Sequence, residues 1–479
     1  MQYENDPECA KTVRLKGDQM KTVDFRSFPD KHIHMIGIGG ASMSGIAEIL
    51  KARGYQVTGS DRAEGESIRR LREKGVDVTV GHAPGNVEGA DLAVYSLAIP
   101  KDHVELHACK QQGIPVIERS VLLGQLTDEF KTSIAVCGTH GKTTVTSMLA
   151  QILVEMDMDP AVHIGGVLNA IGGSVRNGHG DIMVTEACEY RRSFMNLNPT
   201  QVILLNIDQD HMDYYRDLDE IEDAFGDFLK KLPADGWALG NGDDPRVCRQ
   251  LEKLRCSFAT FGTSSLCDYR MTRMDEDDQG RFSFVLEFQN STLGQVRMAI
   301  PGIFNAKNGA AALAAAHHLK LDMSKACEIL GKFQGAHRRF ERTGLLNGAE
   351  LFHDYGHNPV EIRNVLSIAR KRCRSGQLWA VVQPHTYSRV KTMFEEYLTC
   401  TEEADITLVT DIFAAREEDP GDLDSGMLVD AMKRQGINAF WTPSFSDAAS
   451  AIRAGAGPGD LVITLGCGDI YQLNEILCY

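Results

Sequence analysis

Residues Gly138-Thr139-His140-Gly141-Lys142-Thr143-Thr144 directly follow the apolar run Ser133-Ile134-Ala135-Val136-Cys137. A glycine-rich turn between a buried strand and a helix start constrains the fold more than any other feature of this chain. Its backbone N–H groups can wrap a polyphosphate, and the helix N-terminus adds partial positive charge. Lys142 is spaced to reach the β/γ-phosphates and the Thr143 hydroxyl to ligate Mg²⁺. The strict phosphate loop has a glycine where this chain has Val136, so Gly138 opens a shortened loop. An ordinary strand-to-helix turn would leave three consecutive special residue types without a reason. An ATP-type site on a parallel α/β sheet is therefore expected here.

The loop lies far enough into the chain for a whole α/β unit to precede it. At about 150 residues per domain, 479 residues predict three domains. The net charge of −16 argues against a general nucleic-acid or anionic-membrane binder, so anionic substrates must meet local basic clusters. No apolar run is long enough to span a bilayer. The twelve cysteines show no Cys-x-x-Cys or Cys/His metal spacing, which predicts reduced thiols and a cytoplasmic location. Residues 1–30 are polar and mixed in charge and read as a flexible arm.

The fold class expected is α/β, with three consecutive domains. Residues 31–127 form a Rossmann-like N-terminal unit, 128–336 a central P-loop unit, and 337–479 a Rossmann-like C-terminal unit. In the first, the strand Lys31–Ile36 runs into a turn containing Gly37, Gly39, Gly40, Ser42 and Met43. A helix over 46–53 follows, then a strand ending at Ser60-Asp61. A glycine turn with an acid about 20 residues further on suits a diphosphate nucleotide, although Ser42 replaces the third glycine. A purely structural βαβ unit is the alternative. In the second unit, apolar strands end at Glu186 and at Asp208, ahead of Asp210, His211 and Asp213. An Ala-rich helix is expected over 309–318. In the third, strands end at Asp354-Tyr355, at His385 and at Gly466-Cys467-Gly468. Ligands bind outside the carboxyl ends of such strands, so the three ligand edges are expected to face one cleft.

Thr143, Glu186 and His211 form the candidate metal set for Mg²⁺, in which one imidazole is unusual among oxygen ligands. Asp208, Asp210 and Asp213 read as partly solvated turn acids. Glu189 reads as a substrate contact or a surface residue. Arg338 and Arg339 are placed to reach the γ-phosphate, or form a solvated linker cluster. His385 and Arg389 share a turn and suit a carboxylate. Arg370-Lys371-Arg372 with Arg374 reads as compensation of a helix dipole. Cys137 and Cys188 flank the ATP segments and suggest a thiol sensitivity. A diphosphate-nucleotide unit, an ATP unit and a carboxylate-binding unit together suggest a ligase that activates a carboxylate with ATP.

These residues resemble the Mur ligases. The resemblance runs from about residue 31 to 479 and rests on ordered motifs. They are GIGGASMSGIAEIL (37–50), GTHGKTT (138–144), NIDQDHMDYY (206–215), HRRFE (337–341), DYGHNPVEI (354–362), QPHTYSR (383–389), DIFAAREE (411–418) and GCGDI (466–470). It implies a UDP-sugar on the first unit, ATP and Mg²⁺ on the second, and the amino acid against the third. Lys142 and Thr143 then match phosphate and metal positions, and Glu186 and His211 the magnesium-linked pair. Asn305 matches an adenine contact, and Arg339 and Asp354 match nucleotide contacts. Tyr355, His357, His385 and Arg389 match positions near the amino acid, and Ser60, Asp61 and Ser96 positions lining the UDP site. Lys142, His211 and Arg339 are the expected catalytic residues.

The chain departs from the family pattern at several points. Cys188 and Arg191 replace two acids of the usual Glu-Ala-Asp-Glu-Ser-Asp segment, Phe304 replaces a frequent His, and Thr386 replaces a frequent Arg. No Lys lies between His211 and Lys230, so the carbamylated lysine of other branches is not expected. That absence fits the alanine-adding branch, which joins L-alanine to the lactyl carboxylate of UDP-N-acetylmuramate through an acyl phosphate in peptidoglycan precursor synthesis. Two readings compete: a relative that attaches a whole peptide for wall recycling, and a non-catalytic UDP-sugar/ATP sensor. A monomer or homodimer is expected, with no nucleic-acid or membrane partner.

Overall fold

The computed structural model describes residues 23–28, 31–212, 214–415 and 417–478. The expected arm at 1–30 lies largely outside these residues. Its described part is packed: Phe25 is buried, its N–H donates to Gln125 Oε1 (3.0 Å), and Gln125 Nε2 donates to Val23 O (2.8 Å).

The first unit is a five-stranded sheet. Its strands are β1 (His32–Ile36), β2 (Gln56–Asp61), β3 (Asp77–Val80), β4 (Leu92–Tyr95) and β5 (Val116–Glu118). The order β3-β2-β1-β4-β5 is parallel throughout. The switch between β1 and β4 opens the crevice where such sheets take ligands. The helix after β1 begins at Ala41, earlier than expected, because Gly40 serves as its N-cap.

The central sheet contains β6 (Thr132–Cys137), β7 (Ala161–Leu168), β8 (Gly173–Arg176), β9 (Ile182–Glu186) and β10 (Gln201–Leu204). It continues with β11 (Trp237–Asn241), β12 (Ser257–Gly262), β13 (Tyr269–Glu276), β14 (Arg281–Phe288) and β15 (Ser291–Pro301). The order is β15-β14-β13-β12-β11-β10-β6-β9-β7-β8. Its middle is parallel and reads as continuous apolar runs, as sheets buried on both faces do. The antiparallel ribbon β13–β15 and the antiparallel edge β8 were not foreseen. Alternation such as Tyr269-Arg270-Met271-Thr272 and the buried run Phe284-Val285-Leu286 were the strand signals available there. The Ala-rich helix spans Ile303–His318, and Ala310–Ala316 are fully buried against the core that includes helix Lys142–Glu155. Small side chains let the two helices approach closely.

The third sheet contains β16 (Glu341–Leu346), β17 (Ala349–Asp354), β18 (Leu378–Val382), β19 (Ile406–Val409), β20 (Ala439–Trp441) and β21 (Leu461–Leu465). The order is β16-β17-β21-β18-β19-β20, parallel except for the edge strand β16. Among the described residues no helix is long and apolar enough to cross a membrane.

The units dock in two different ways. One apolar cluster runs from Phe25 and Leu126 of the first unit to Phe194, Phe225 and Phe228 of the second. A Cβ at Gly45 would lie 2.3 Å from Val175 Cγ1, so this contact is tight. The third unit has its own cores and meets the second through polar pairs. Lys371 pairs with Glu276 (2.5 Å) and Arg374 with Asp278 (3.2 Å) at the β13–β14 turn. These basic residues therefore clamp two units together and do more than offset a helix dipole. A polar interface of this kind permits the third unit to move relative to the other two.

Candidate active site

The phosphate loop is held in shape by its glycines and by residue 206. Gly138 (φ 134°) and Gly141 (φ 89°) are left-handed, and a Cβ at Gly141 would lie 2.8 Å from Asn308 Oδ1. The His140 N–H donates to Asn206 Oδ1 (2.8 Å), and Asn206 Nδ2 donates back to His140 O (3.0 Å). The Thr139 hydroxyl accepts from Asp208 N (2.9 Å). Lys142, the first residue of helix Lys142–Glu155, turns back and donates to Gly138 O (2.6 Å) and Thr139 O (3.0 Å). It also donates to Glu189 Oε1 (2.9 Å).

Glu189 is only 2% exposed, so it is no surface residue, and its Oε2 is buried without a partner. His211 Nε2 lies 3.8 Å from Glu189 Oε1 and 3.9 Å from Asp210 Oδ2. The residue has φ 53°, an uncommon left-handed conformation for a non-glycine, and its ring packs 4.8 Å from Tyr190. Glu186 accepts from Gly165 N (2.7 Å) and faces the Thr143 hydroxyl, and burial raises its carboxyl above the usual range. The carboxylate beside His211 is thus Glu189, while Glu186 sits with Thr143. A hydroxyl, two carboxylates with one oxygen unsatisfied, and one imidazole fit a divalent cation that prefers oxygen. Asp213 lies outside the described residues. Burial raises the Cys137 thiol, so it is protonated at neutral pH, whereas Cys188 is exposed.

The third unit covers this cluster. Arg339 stacks 5.0 Å from the Tyr355 ring, and its charge lowers both Glu186 and Asp354 against their burial. Arg338 turns away into its own unit, donating to His353 Nε2 (3.0 Å) and Gly468 O (3.0 Å), so of the two arginines only Arg339 faces the cleft. Asp354 is buried and accepts from Gly356 N (2.6 Å) and Phe340 N (2.7 Å). Asn305 is likewise buried, and its Nδ2 donates to Pro301 O (2.6 Å).

Glu361 joins the two units. Its carboxylate lies 3.3 Å from His140 Nδ1 on one side and 3.4 Å from His357 Nδ1 on the other. Burial alone would lower His140, but Asp208 and Glu361 outweigh it and raise the imidazole to about 9. His357 is lowered by its burial and packs edge-on to His385 at 5.7 Å. His385 Nδ1 accepts from Arg389 Nη1 (3.0 Å), and Arg389 Nη2 donates to Asp210 Oδ1 (3.1 Å). Asp210 is therefore buried and paired, not the solvated turn acid expected. No role was read for Glu361 from the sequence; it lies in the first helical turn after the N-cap Asn358, where an acid is ordinary. Its position in the motif 354–362 was the one signal available.

In the first unit, Gly37 N and Ile38 N donate to Ser60 O (2.8 and 3.0 Å), and Gly39 N donates to Asp61 Oδ2 (2.8 Å). Asp61 thus closes the glycine turn on itself. Ser60 is fully buried and its hydroxyl donates to Glu105 Oε2 (2.6 Å), while Met43 is packed in the core. The Ser42 hydroxyl accepts from Arg119 Nη1 (2.6 Å) and hydrogen-bonds His163 Nε2 (2.7 Å), linking first and second units. Ser96 Oγ accepts from Ala98 N (3.2 Å). Of the expected sugar-nucleotide residues, Ser42, Asp61 and Ser96 retain partly exposed side chains, and Gly40 presents the helix N-terminus.

The geometry agrees with three comparisons. The profile of the Mur ligase family catalytic domain matches residues 32–131, that of the Mur ligase middle domain 136–316, and that of the Mur ligase glutamate ligase domain 338–468. The UDP-N-acetylmuramate–L-alanine ligase of Acetivibrio thermocellus is 38% identical over 463 residues, covering 96% of this chain and 97% of the relative. The crystal structure of UDP-N-acetylmuramate-alanine ligase from Thermotoga maritima superposes with a TM-score of 0.80 at 24% identity, over 93% of this chain and 98% of that one. A murein peptide ligase from Psychrobacter arcticus gives a TM-score of 0.72, also at 24% identity, with coverages of 93% and 98%. At that identity the two structures speak to the fold alone. The profiles cover most of the sequence, and the 38% identity extends over nearly all of it: this chain belongs to the Mur ligase family.

Proposed function

We propose that the protein joins L-alanine to the lactyl carboxylate of UDP-N-acetylmuramate, with ATP cleaved to ADP and phosphate. The observation that carries this reading is the 38% identity, over 96% of the chain, to a relative named for that reaction. The sugar nucleotide is assigned to unit 31–127, ATP to 128–336 and the amino acid to the face of 337–479.

In this reading a carboxylate oxygen attacks the γ-phosphorus and the bond to the ADP oxygen breaks, leaving an acyl phosphate. The alanine amine then attacks the acyl carbon, phosphate departs, and the amine gives up its protons. Little covalent chemistry falls to the protein; charge neutralisation and positioning dominate. Lys142 would leave Glu189 for the phosphates, and Arg339 would meet the γ-phosphate from the opposite side. Thr143, Glu186, Glu189 and His211 would hold Mg²⁺, which when bound offsets charge on the phosphate oxygens. Arg389 would take the alanine carboxylate. Burial holds His357 neutral, so its imidazole is free to accept a proton from the amine.

The test is phosphate release by purified protein with ATP, Mg²⁺ and UDP-N-acetylmuramate. L-alanine, glycine, L-serine or a tripeptide is added in separate reactions. Strongest release with L-alanine, and a product heavier by one alanyl residue, supports the reading. Release with the peptide alone moves it to the recycling reaction. No release with any acceptor, despite binding of the sugar nucleotide, points to the sensor.

A further inference from the structure

Glu361 makes contacts that its place in a helix does not explain. It lies in the first turn of helix Pro359–Arg372, on the unit whose face is assigned to the amino acid. Its two carboxylate oxygens serve different units. Oε1 lies 3.3 Å from Nδ1 of His140, in the phosphate loop of the second unit. Oε2 accepts from the backbone N–H of His357 (3.1 Å) and lies 3.4 Å from His357 Nδ1. Burial would raise the carboxyl, but the two imidazoles beside it hold it well below the usual range, so it is an anion at neutral pH. Asp208, 3.6 Å from His140 Nε2, acts with Glu361 to keep His140 protonated against its burial.

The same carboxylate fixes the state of His357. His357 Nδ1 also lies 3.2 Å from Tyr355 O, so the two atoms facing it, Tyr355 O and Glu361 Oε2, are both acceptors. A lone pair on Nδ1 would face them both, so the ring proton sits there and Nε2 keeps the lone pair. The Tyr397 hydroxyl donates to His357 O (2.6 Å), and the His385 ring meets the His357 ring edge-on at 5.7 Å. Among the described residues Nε2 makes no hydrogen bond. Burial and Arg389 oppose protonation of this imidazole, whereas Glu361 and Asp210 favour it. A carboxylate behind a histidine holds its tautomer and stabilises the imidazolium it becomes.

We propose that Glu361 is a positioning residue for the amine step, holding His357 with Nε2 open to the alanine nitrogen and stabilising the imidazolium that forms. The inference rests on the ligase reading above. The amine of free alanine is an ammonium at neutral pH and must shed a proton to become a nucleophile. His357 Nε2 takes a proton from that nitrogen as the C–N bond forms and the C–O bond to phosphate breaks. The earlier attack of the sugar carboxylate on the γ-phosphorus transfers no proton, so Glu361 has no such part in it. The other carboxylate oxygen, on His140, ties this base to the phosphate loop.

The test sets two nucleophiles against one acyl phosphate. Wild type, Glu361→Gln and Glu361→Asp are each given ATP, Mg²⁺ and UDP-N-acetylmuramate, with either saturating L-alanine or hydroxylamine. Hydroxylamine is unprotonated at neutral pH, so its attack, which gives a hydroxamate and phosphate, needs no base. Glu361→Gln should lower formation of the alanyl product about 10- to 100-fold, a part of the roughly 10²–10⁴-fold that a general base contributes, and hydroxamate formation by far less. Glu361→Asp keeps the charge and should lose less of the alanyl product. A residue that only docked the third unit would lower both products together. The proposal is overturned if neither variant loses alanyl product more steeply than hydroxamate. Failure of the ligase reading looks different, because wild-type protein then forms no alanyl product at all.

Discussion

Arg389 and Asp210 meet across the cleft between the third and second units, guanidinium Nη2 to carboxylate Oδ1 at 3.1 Å, with side chains only 12% and 9% exposed. Asp210 immediately precedes His211, and Arg389 also holds His385, so this pair ties the turn after β18 to the segment that carries His211. A hydrogen bond to a charged group contributes about 1.5–3 kcal/mol, so Arg389→Ala should lower kcat/KM for L-alanine by roughly ten- to hundredfold. Arg389→Lys keeps the charge without the planar fork and should recover only part of it. Steady-state kinetics with L-alanine as the varied substrate checks both. Equal kcat/KM for wild type and Arg389→Ala would remove Arg389 from the amino-acid site.

Lys142→Ala should abolish turnover while leaving the sugar-nucleotide affinity within a fewfold of wild type. The loss in kcat should be at least about 10²–10³-fold, the scale for removing one stabiliser of transition-state charge. The variant also strands the buried Glu189, and losing one partner of a buried pair costs up to about 3–5 kcal/mol. A lower Tm is therefore expected alongside the kinetic loss. Calorimetric titration with UDP-N-acetylmuramate separates the two effects, and a variant that loses that affinity would place the sugar site elsewhere.

Gly141→Ala should destabilise the loop and abolish ATP binding. The left-handed φ of 89° costs a residue with a Cβ about 1–2 kcal/mol, and the new methyl would also strike Asn308 Oδ1. ATP titration and thermal unfolding read this directly. Unchanged ATP affinity would mean that the loop shape is not what binds the phosphates.

Docking of the third unit should weaken on the alkaline side. His140 is raised to about 9, above its ordinary 6.5, so its contribution is complete below about pH 6.5 and is lost as pH climbs through about 9. Glu361 is lowered well below the usual carboxylate range, so its contribution is present above pH 4.5 and fades as pH falls through its lowered value. The His140–Glu361 pair should therefore stabilise most strongly between these limits. Glu361→Gln should flatten the fall in Tm between pH 6.5 and 9. An identical Tm–pH slope in wild type and variant would show that the pair contributes nothing to docking.

The strands, the phosphate loop and the α/β class were legible because they rest on local chemistry. Apolar runs such as Ser133–Cys137 form buried parallel strands, glycines permit the left-handed turn at 138–141, and Lys142-Thr143 follows at fixed spacing. The ribbon β13–β15 was missed although β14 carries the buried run Phe284-Val285-Leu286, because its antiparallel pairing is set by turns outside the β–α alternation that marks the rest of the sheet. The resemblance gave Ser60 a place lining the UDP site; its hydroxyl is buried against Glu105, whose position 45 residues on no local pattern indicates.

The sequence by itself determined three α/β units, a phosphate-binding turn and polar residues at strand ends, because these follow from side-chain periodicity and backbone preference over a few residues. Only the tertiary structure decided which polar groups meet. Glu189 stands beside His211, Glu361 bridges His140 and His357 across 221 positions, and Arg389 reaches Asp210 across 179. Such pairs depend on how separately folded units dock, and a charged residue that will be buried against a distant partner looks, in its own segment, the same as one that will face water.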